Sequence, residues 1–315
     1  FGVFPIRARL QNPCECTWRG GWALIPGIFR GDASAGSVDE AFIQVLDGVS
    51  GRSWYFAFPP DEFEADEGRM AVTIGGNRFD QSGVMLDLPM ISGSLWYSSA
   101  IDPYPVTMRR PGIMGWYGYI PIMECFHGIV SFGHGLAGTL VIEDRLVEFT
   151  GGRGYIEKDW GTAFPQSYVW LASNHLSDRD GANITGSLVA SCAIIPGLGR
   201  TFRGSIVAIK YPDRLSTWAT WNGSRDDELT IDDSHVRWRM HGPDGTLNLR
   251  AERTRGGLLH APLRSAMHRR VEETLYATIE FEHIGRDGTT IAAGTAGCAG
   301  MEVFGDTARL MALRQ

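Results

Sequence analysis

The sequence predicts an all-β protein built from two similar halves, and three observations support this prediction. Forty glycines and fifteen prolines interrupt the 315-residue chain at short intervals. Between them stand short runs rich in Val, Ile, Thr, Trp and Tyr, a composition typical of β-strands. Amphipathic patterns of helical period longer than about 10 residues are scarce. Finally, one order of glycine-punctuated motifs occurs twice along the chain.

The predicted strands follow from runs of strand-forming residues that end at glycine, proline or a polar cluster. They are residues 41–46, 53–58, 70–75, 84–88, 138–143, 166–172, 205–210, 217–221, 235–240, 246–252 and 274–282. A hydrophobic content of 43% in a chain of this length is enough for one large core or two of ordinary size. So many strands predict β-barrels or β-sandwiches.

The internal repeat consists of three pairs of similar segments in the same order. The first copies are residues 83–88, 123–124 and 154–157, and the second copies are residues 245–249, 272–273 and 300–302. Their spacing drifts, as a duplication followed by deletions would cause. We therefore predict two similar β-rich domains, residues 1–158 and 159–315. The alternative is one large sandwich in which the similarities arose by chance.

The charge pattern limits the class of partner. The chain has a formal net charge of -7, and its 29 Lys and Arg residues are scattered, with short pairs such as Arg109-Arg110. This argues against nucleic acid or an anionic membrane as the main partner. No stretch reaches the roughly 18 uncharged apolar residues of a membrane span. We expect a cytoplasmic or peripherally membrane-associated protein of unknown oligomeric state.

Cysteines and known motifs exclude several kinds of chemistry. The close pair Cys14 and Cys16 lacks the two-residue spacing of zinc or redox motifs, so we expect reduced, mostly buried thiols. No nucleophile elbow, dinucleotide fingerprint or kinase motif is present. The sequence thus predicts no metal and no cofactor.

The most unusual stretch is GGRGYIEKDWGTAFP, residues 151–165. If it is extended, Tyr155, Glu157 and Asp159 share one face, because side chains alternate along a strand. Two neighbouring carboxyl groups repel, and burial would add to this, so the pKa of at least one would rise. The alternative is an exposed strand end whose acids pair with Lys158 and Arg153. A tight turn explains the glycines better than a phosphate site does.

A second stretch, residues 111–135, places several aromatic rings near ionisable groups, which is typical of a pocket for an apolar ligand. Trp116 and Tyr119 belong to it, with Glu124, His127 and His134. Glu124 and His127 would share a face only on a helix, so a metal pair is not favoured in a strand. A histidine with only a structural role remains the alternative for His127 and His134.

Four segments of this sequence resemble the tocopherol cyclase family. They are GNRFDQSGVMLDLP (76–89), PGIMGWYGYIPIMECFHGIVSF (111–132), GGRGYIEKDWGTAFPQSYVWLASNH (151–175) and AGMEVFGD (299–306). The family is related to lipocalin-like carotenoid hydratases, so the resemblance implies two lipocalin-like antiparallel β-barrel halves packed together. It also implies an enzyme that closes the chroman ring of vitamin E precursors without a cofactor, and a plastid location if the source is a plant.

The resemblance implies roles for particular residues. Asp159 or Glu157 is expected to protonate an alkene of a hydrophobic prenylated quinol, while Glu124 and His127 are candidates to accept the phenol proton. The expected substrate-binding residues are Trp160, Trp116, Tyr119, Tyr155, Tyr168, Trp170 and Asn174. Two alternatives remain open: a non-catalytic carrier of a lipid or quinone, and a hydratase or isomerase of a terpenoid alkene.

Overall fold

The chain is described by a computed structural model that covers most of its length. The described residues are 6–10, 21–31, 39–66, 68–120, 123–197, 200–263 and 266–315. Cys14 and Cys16 lie outside these ranges. The other three cysteines are Cys125, Cys192 and Cys298, and burial raises the pKa of the Cys192 thiol. Among the residues described, no helix is long and apolar enough to span a bilayer.

The first part of the chain folds into a twelve-stranded antiparallel sheet and a separate two-stranded one. The strands in chain order are β1 (Ile6–Leu10), β2 (Trp22–Phe29), β3 (Glu40–Asp47), β4 (Ser53–Phe58), β5 (Phe63–Ala65), β6 (Ala71–Ile74), β7 (Asn77–Asp80), β8 (Gly83–Leu88), β9 (Ile91–Tyr97), β10 (Val106–Thr107), β11 (Arg110–Pro111), β12 (Cys125–Ile142), β13 (Arg145–Glu148) and β14 (Arg153–Gly161). The large sheet has the order β4-β3-β2-β1-β14-β12-β9-β8-β7-β6-β5, with β13 paired to β12. Strands β10 and β11 form the small sheet, and β14 and β12 are neighbours in the large one.

The second part of the chain forms another twelve-stranded antiparallel sheet. Its strands are β15 (Tyr168–Ser173), β16 (His175–Asp178), β17 (Asn183–Ile184), β18 (Ser187–Pro196), β19 (Thr201–Lys210), β20 (Leu215–Ala219), β21 (Arg225–Ile231), β22 (His235–Gly242), β23 (Gly245–Glu252), β24 (Gly257–Leu263), β25 (Ala266–Ile284) and β26 (Thr290–Phe304). The main path is β20-β19-β18-β15-β26-β25-β23-β22-β21. Within the described residues, helical structure is limited to 3-10 turns at Pro60–Glu62, Gly115–Tyr119 and Thr220–Asn222 and to helix α1 (Thr307–Ala312).

The chain divides into two compact units. The first contains residues 1–104, 127–163 and 257–270. Its core is an apolar cluster from β2, β3, β6 to β9 and β12, with Ile156 of β14 fully buried in it. The distant segment 257–270 joins this unit through hydrogen bonds that include a pair with Gln44: Gln44 Nε2 donates to the His260 carbonyl oxygen at 2.9 Å, and the His260 amide donates to Gln44 Oε1 at 2.7 Å.

The second unit contains residues 105–126, 164–256 and 271–315. Its core includes Trp218 and Trp238 and is extended by Leu310 of helix α1, which is fully buried. Arg203 fixes the end of this helix, because its guanidinium donates to the Met311 carbonyl oxygen at 3.1 Å and to Asp226 Oδ2 at 2.9 Å. Burial raises the pKa of the Asp226 carboxyl despite this ion pair.

The predicted fold class is confirmed, because the chain is almost entirely antiparallel β-structure. Each predicted strand falls on an observed strand, for example 53–58 on β4 and 235–240 on β22. Many other strands were not predicted, among them β2 and β18. Both are buried almost along their whole length, so their apolar side chains occupy both faces and give no alternating pattern. The division into domains at residues 158 and 159 stays a prediction.

The packing of β12 against β14 predicts the effect of Gly154→Ala. A β-carbon at Gly154 would lie 2.1 Å from Nε2 of His134, a ring that is itself buried, so the two strands would have to separate locally. We expect a loss of about 1–3 kcal/mol in the free energy of unfolding, measured by urea denaturation. The control is Gly68→Ala, whose β-carbon would make only an ordinary contact of 3.5 Å with Asp66. Equal midpoints for Gly154→Ala and the wild type would contradict the predicted clash.

Candidate active site

Strand β14 separates its side chains by chemical type. Tyr155, Glu157 and Asp159 are buried and share one face, since alternate residues of a strand point the same way. Glu157 has no exposed surface, and Asp159 is 9% exposed. The structure therefore brings together the two acids that the sequence predicted to share a face, and it buries both of them.

The opposite face of β14 carries apolar and cationic groups. Ile156 packs into the core of the first unit, and beyond it Lys158 is exposed and Trp160 half-buried. The Lys158 ammonium lies 4.8 Å from the centre of the Trp160 ring, which is a cation–π contact. The two acids thus lie on the face turned away from the core side chain Ile156.

His127 of the neighbouring strand β12 completes the acidic cluster. Its Nδ1 lies 2.7 Å from Asp159 Oδ1 in a hydrogen bond, and its Nε2 lies 3.6 Å from Glu157 Oε2. The hydroxyl of Tyr155 donates to the same Glu157 oxygen at 2.7 Å. One imidazole ring is therefore bracketed by two carboxyl groups, and all four side chains are buried. We call Tyr155, Glu157, His127 and Asp159 the acid cluster.

The acid cluster can hold and exchange protons. Burial disfavours an isolated charge, while an imidazole between carboxyl groups can share a proton with either neighbour. The arrangement is suited to general acid–base chemistry, because a proton can leave at one atom and be taken up again at another.

A second buried histidine, His134, lies further along β12. Its Nδ1 is 2.9 Å from the Ser131 hydroxyl, and its ring packs against Tyr97 with centroids 4.1 Å apart. Burial lowers the pKa of His134 from its ordinary value to about 4. Burial likewise raises the pKa of the Tyr97 phenol. Both rings are neutral near pH 7, and we assign them to packing.

Three other predicted residues belong to the second unit near residue 120. Glu124 precedes β12 and is exposed. Trp116 and Tyr119 lie in the 3-10 helix Gly115–Tyr119, and both rings are exposed. None of the three belongs to the acid cluster.

The remaining predicted residues lie on β15 and just after it. The Tyr168 hydroxyl donates to Glu302 Oε2 at 2.7 Å, Trp170 is buried at the register position opposite Glu302, and Asn174 Oδ1 lies 2.7 Å from His175 Nδ1. Glu302 was not predicted as a site residue, nor was Glu273, its partner across β25 and β26. Both are buried. The internal repeat was the available signal, because it matched Glu302 with Glu157.

No group of three or more His, Cys, Asp or Glu side chains within the described ranges could hold a metal ion.

A comparison with protein families decides the relationship. The profile described as "Tocopherol cyclase-like" matches residues 61–305, which include the whole acid cluster. The chain belongs to the tocopherol cyclase-like family. This confirms the resemblance found in the sequence.

Relatives within the tocopherol cyclase-like family are distant. A chloroplastic protein of Oryza sativa subsp. japonica named "Probable tocopherol cyclase" is 25% identical over 264 residues, 78% of this chain and 55% of that protein. The tocopherol cyclase of Zea mays, also chloroplastic, is 25% identical over 233 residues, 69% of this chain and 48% of that protein. The chain thus spans about half the length of these relatives.

Two solved structures share the fold of this tocopherol cyclase-like chain. An AttH candidate of Nitrosomonas europaea superposes with a TM-score of 0.54 at 12% identity, covering 96% of this chain and 92% of that one. Kievitone hydratase of Nectria haematococca superposes with a TM-score of 0.52 at 9% identity, covering 96% of this chain and 89% of that one. At these identities the similarity concerns the fold alone.

The low pKa of His134 predicts a pH dependence of stability. As the pH falls below 6.5 the unfolded chain binds a proton at this residue, whereas the folded chain does so only near pH 4. The stability from this histidine is therefore complete above pH 6.5 and is lost as the pH falls towards 4. We expect His134→Gln to reduce the acid-induced loss in the free energy of unfolding by up to about 3 kcal/mol.

Urea denaturation at several pH values between about 4 and 7 measures this difference. His241→Gln provides the control, because that imidazole is about half exposed. Parallel pH curves for His134→Gln and the wild type would show that His134 makes no such contribution.

Proposed function

We propose that this chain is an acid-catalysed cyclase that converts a prenylated quinol into a chromanol. The hydrogen bond of 2.7 Å between His127 and Asp159 inside the buried acid cluster is the observation that carries the proposal. Membership of the tocopherol cyclase-like family and the names of the rice and maize relatives support the same reaction.

The reaction is an isomerisation that needs no other reactant. The π electrons of the prenyl double bond form a C–H bond with a proton from a carboxylic acid, leaving a tertiary carbocation and a carboxylate. A lone pair of the quinol oxygen then forms the C–O bond of the new ring. The O–H proton of that oxygen returns to the acid cluster, so the protein regains its starting state.

Asp159 is the better placed proton donor of the two carboxyl groups. A donor must reach the substrate, and Asp159 keeps some exposed surface whereas Glu157 keeps none. His127 bonds directly to Asp159 and can hold the returning phenol proton. We therefore assign alkene protonation to Asp159 and proton exchange to His127. Glu124, the other predicted proton acceptor, is exposed, so it is less suited to this role than His127.

Glu157 and Tyr155 act on His127 rather than on the substrate. Glu157 Oε2 lies 3.6 Å from the far nitrogen of the His127 ring, and the Tyr155 hydroxyl fixes that same oxygen. This contact orients the ring and influences which nitrogen carries the proton. We expect Glu157 to tune the acidity of the cluster, as a positioning residue.

The internal repeat favours Asp159 and His127 as the reactive pair. Continuing the match of Glu157 with Glu302 by two residues places Phe304 at the position of Asp159. Continuing the match of Glu124 with Glu273 by three residues places Tyr276 at the position of His127. The buried Tyr–Glu hydrogen bond occurs in both units, whereas the buried Asp–His pair of the first unit corresponds to Phe304 and Tyr276 in this match.

Aromatic rings are expected to shield the carbocation from water and to stabilise its charge. Trp160 follows the donor Asp159 on β14, and its ring lies on the opposite face of the strand, where the Lys158 ammonium contacts it. Substrate contacts of Trp116, Tyr119, Trp160, Tyr168, Trp170 and Asn174 stay predictions.

Asp159→Asn tests the proposed donor, because an amide cannot supply the proton while its shape is conserved. Purified protein is incubated anaerobically with a prenylated methylquinol, and the products are separated by chiral chromatography. We expect one chromanol enantiomer from the wild type and a rate at least about 100-fold lower in Asp159→Asn. Glu157→Gln should lower the rate by a smaller factor. Asp144→Asn, the same change at an exposed turn residue, should match the wild type.

The products also separate the alternatives. Full activity of both Asp159→Asn and Glu157→Gln would refute the acid cluster as the source of the proton. A tertiary alcohol in place of the chromanol would indicate a hydratase, since water would then have captured the cation. Tight binding of unreacted quinol by the wild type and both variants would indicate a carrier. Circular dichroism of each variant shows that it is folded.

A further inference from the structure

One surface of the second unit exposes apolar side chains beside two arginines. It consists of the hairpin β10–β11 and the 3-10 helix Gly115–Tyr119 that follows it. We call its exposed residues Val106, Met108, Arg109, Arg110, Trp116 and Tyr119 the Met108 surface. It lies outside the acid cluster, and the proposed chemistry makes no use of the hairpin.

The exposure of this surface is unusual for apolar residues. Met108 at the turn of the hairpin is 93% exposed, and Val106 on β10 is 74% exposed. Trp116 and Tyr119 are three residues apart on the 3-10 helix, so they lie on one face of it, and both are exposed. Several exposed apolar side chains in one small region indicate an interaction site, where another apolar surface covers them.

The Met108 surface is held in a fixed conformation. The Tyr119 hydroxyl donates to the Met108 carbonyl oxygen at 2.7 Å, which joins the helix to the turn of the hairpin. The Trp221 indole donates to the Ile113 carbonyl oxygen at 2.8 Å, and the Trp221 ring packs directly on Gly115. Gly115 has φ +55°, and no larger side chain would fit there. Binding would therefore require little ordering of the loop.

The charge of this region is opposite to that of the whole chain. Residues 105–120 contain Arg109 and Arg110 and no acid, while the chain has a net charge of -7. Both arginines are exposed, and the Arg110 guanidinium lies 5.7 Å from the centre of the Trp221 ring. The overall charge argued against an anionic membrane as the main partner. The local charge favours one at this surface, because arginines near a bilayer respond to nearby lipid phosphates.

We propose that the Met108 surface docks the protein on the face of a bilayer that contains anionic lipid. In this arrangement Met108 and Val106 enter the acyl boundary, the two arginines contact lipid phosphates, and the rings of Trp116 and Tyr119 lie at the level of the head groups. The exposed apolar tip, the paired arginines and the amphipathic rings thus match the acyl boundary, the phosphates and the head-group level of a lipid interface. The proposal concerns binding and holds whether or not the chain is a cyclase.

Sedimentation with lipid vesicles tests the docking. The full chain is mixed with vesicles of phosphatidylcholine alone or with about one third phosphatidylglycerol. We expect binding to the mixed vesicles that weakens as salt is added. The double variant Val106→Ser/Met108→Ser should bind roughly tenfold or more weakly to them. The double variant Arg109→Gln/Arg110→Gln should bind anionic vesicles with roughly thirtyfold lower affinity, and its affinity for neutral vesicles should change little.

Leu146→Ser is the matched control, because Leu146 is exposed in the first unit and lies outside the Met108 surface. It should bind vesicles as the wild type does. Absence of wild-type binding, or equal binding by every variant, would overturn the proposal. So would a wild-type dimer in size-exclusion chromatography that Val106→Ser/Met108→Ser converts to monomer, since the surface would then bind a second copy.

Activity in detergent distinguishes this proposal from the proposed reaction. If docking is correct, Val106→Ser/Met108→Ser should turn over detergent-dispersed quinol at the wild-type rate and vesicle-embedded quinol more slowly. Vesicle binding without any cyclisation would refute the reaction and leave the docking surface supported.

Discussion

The cost of burying two carboxyl groups on one strand is the constraint on which the candidate site depends. An ionised group out of water is strongly unfavourable unless it is paired or hydrogen-bonded. Strand β14 buries Glu157 and Asp159 on the face opposite Ile156. The imidazole of His127 compensates for both acids, because its two nitrogens face one carboxyl group each, at 2.7 and 3.6 Å. The pairing of β14 with β12 brings this imidazole into place.

The same constraint has been met differently in the two units. In the first, Tyr155 donates to Glu157 from the same strand, two residues away. In the second, Tyr168 donates to Glu302 from the neighbouring strand β15. Both units therefore bury a Tyr–Glu hydrogen bond, which is consistent with a common origin of the halves. In the second unit Glu302 lies at the register position opposite Glu273, and both side chains are buried.

Glycine contributes to this arrangement in two separate ways. Gly151 has φ +83° and makes the turn before β14, while Gly154 has no side chain because the His134 ring occupies that space. The glycine-rich sequence at 151–154 is thus explained by backbone geometry and close packing. Gly154 lets β14 approach β12 closely at His134, and further along the same two strands His127 and Asp159 meet. The apolar and basic side chains of the Met108 surface form a separate feature, supported by Trp221.

The sequence by itself determined the fold class, eleven of the strands, the family and the sharing of a face by Glu157 and Asp159. These features follow from local patterns: glycine punctuation, strand composition and the two-residue alternation of side chains. Only the tertiary structure decided that His127, which lies 32 residues before Asp159, bridges the two acids. It also decided that Glu124 is exposed and that Trp116 and Tyr119 lie on an exposed surface. Those facts depend on which strands become neighbours. Strand pairing between distant segments is set by global packing, which no local pattern encodes.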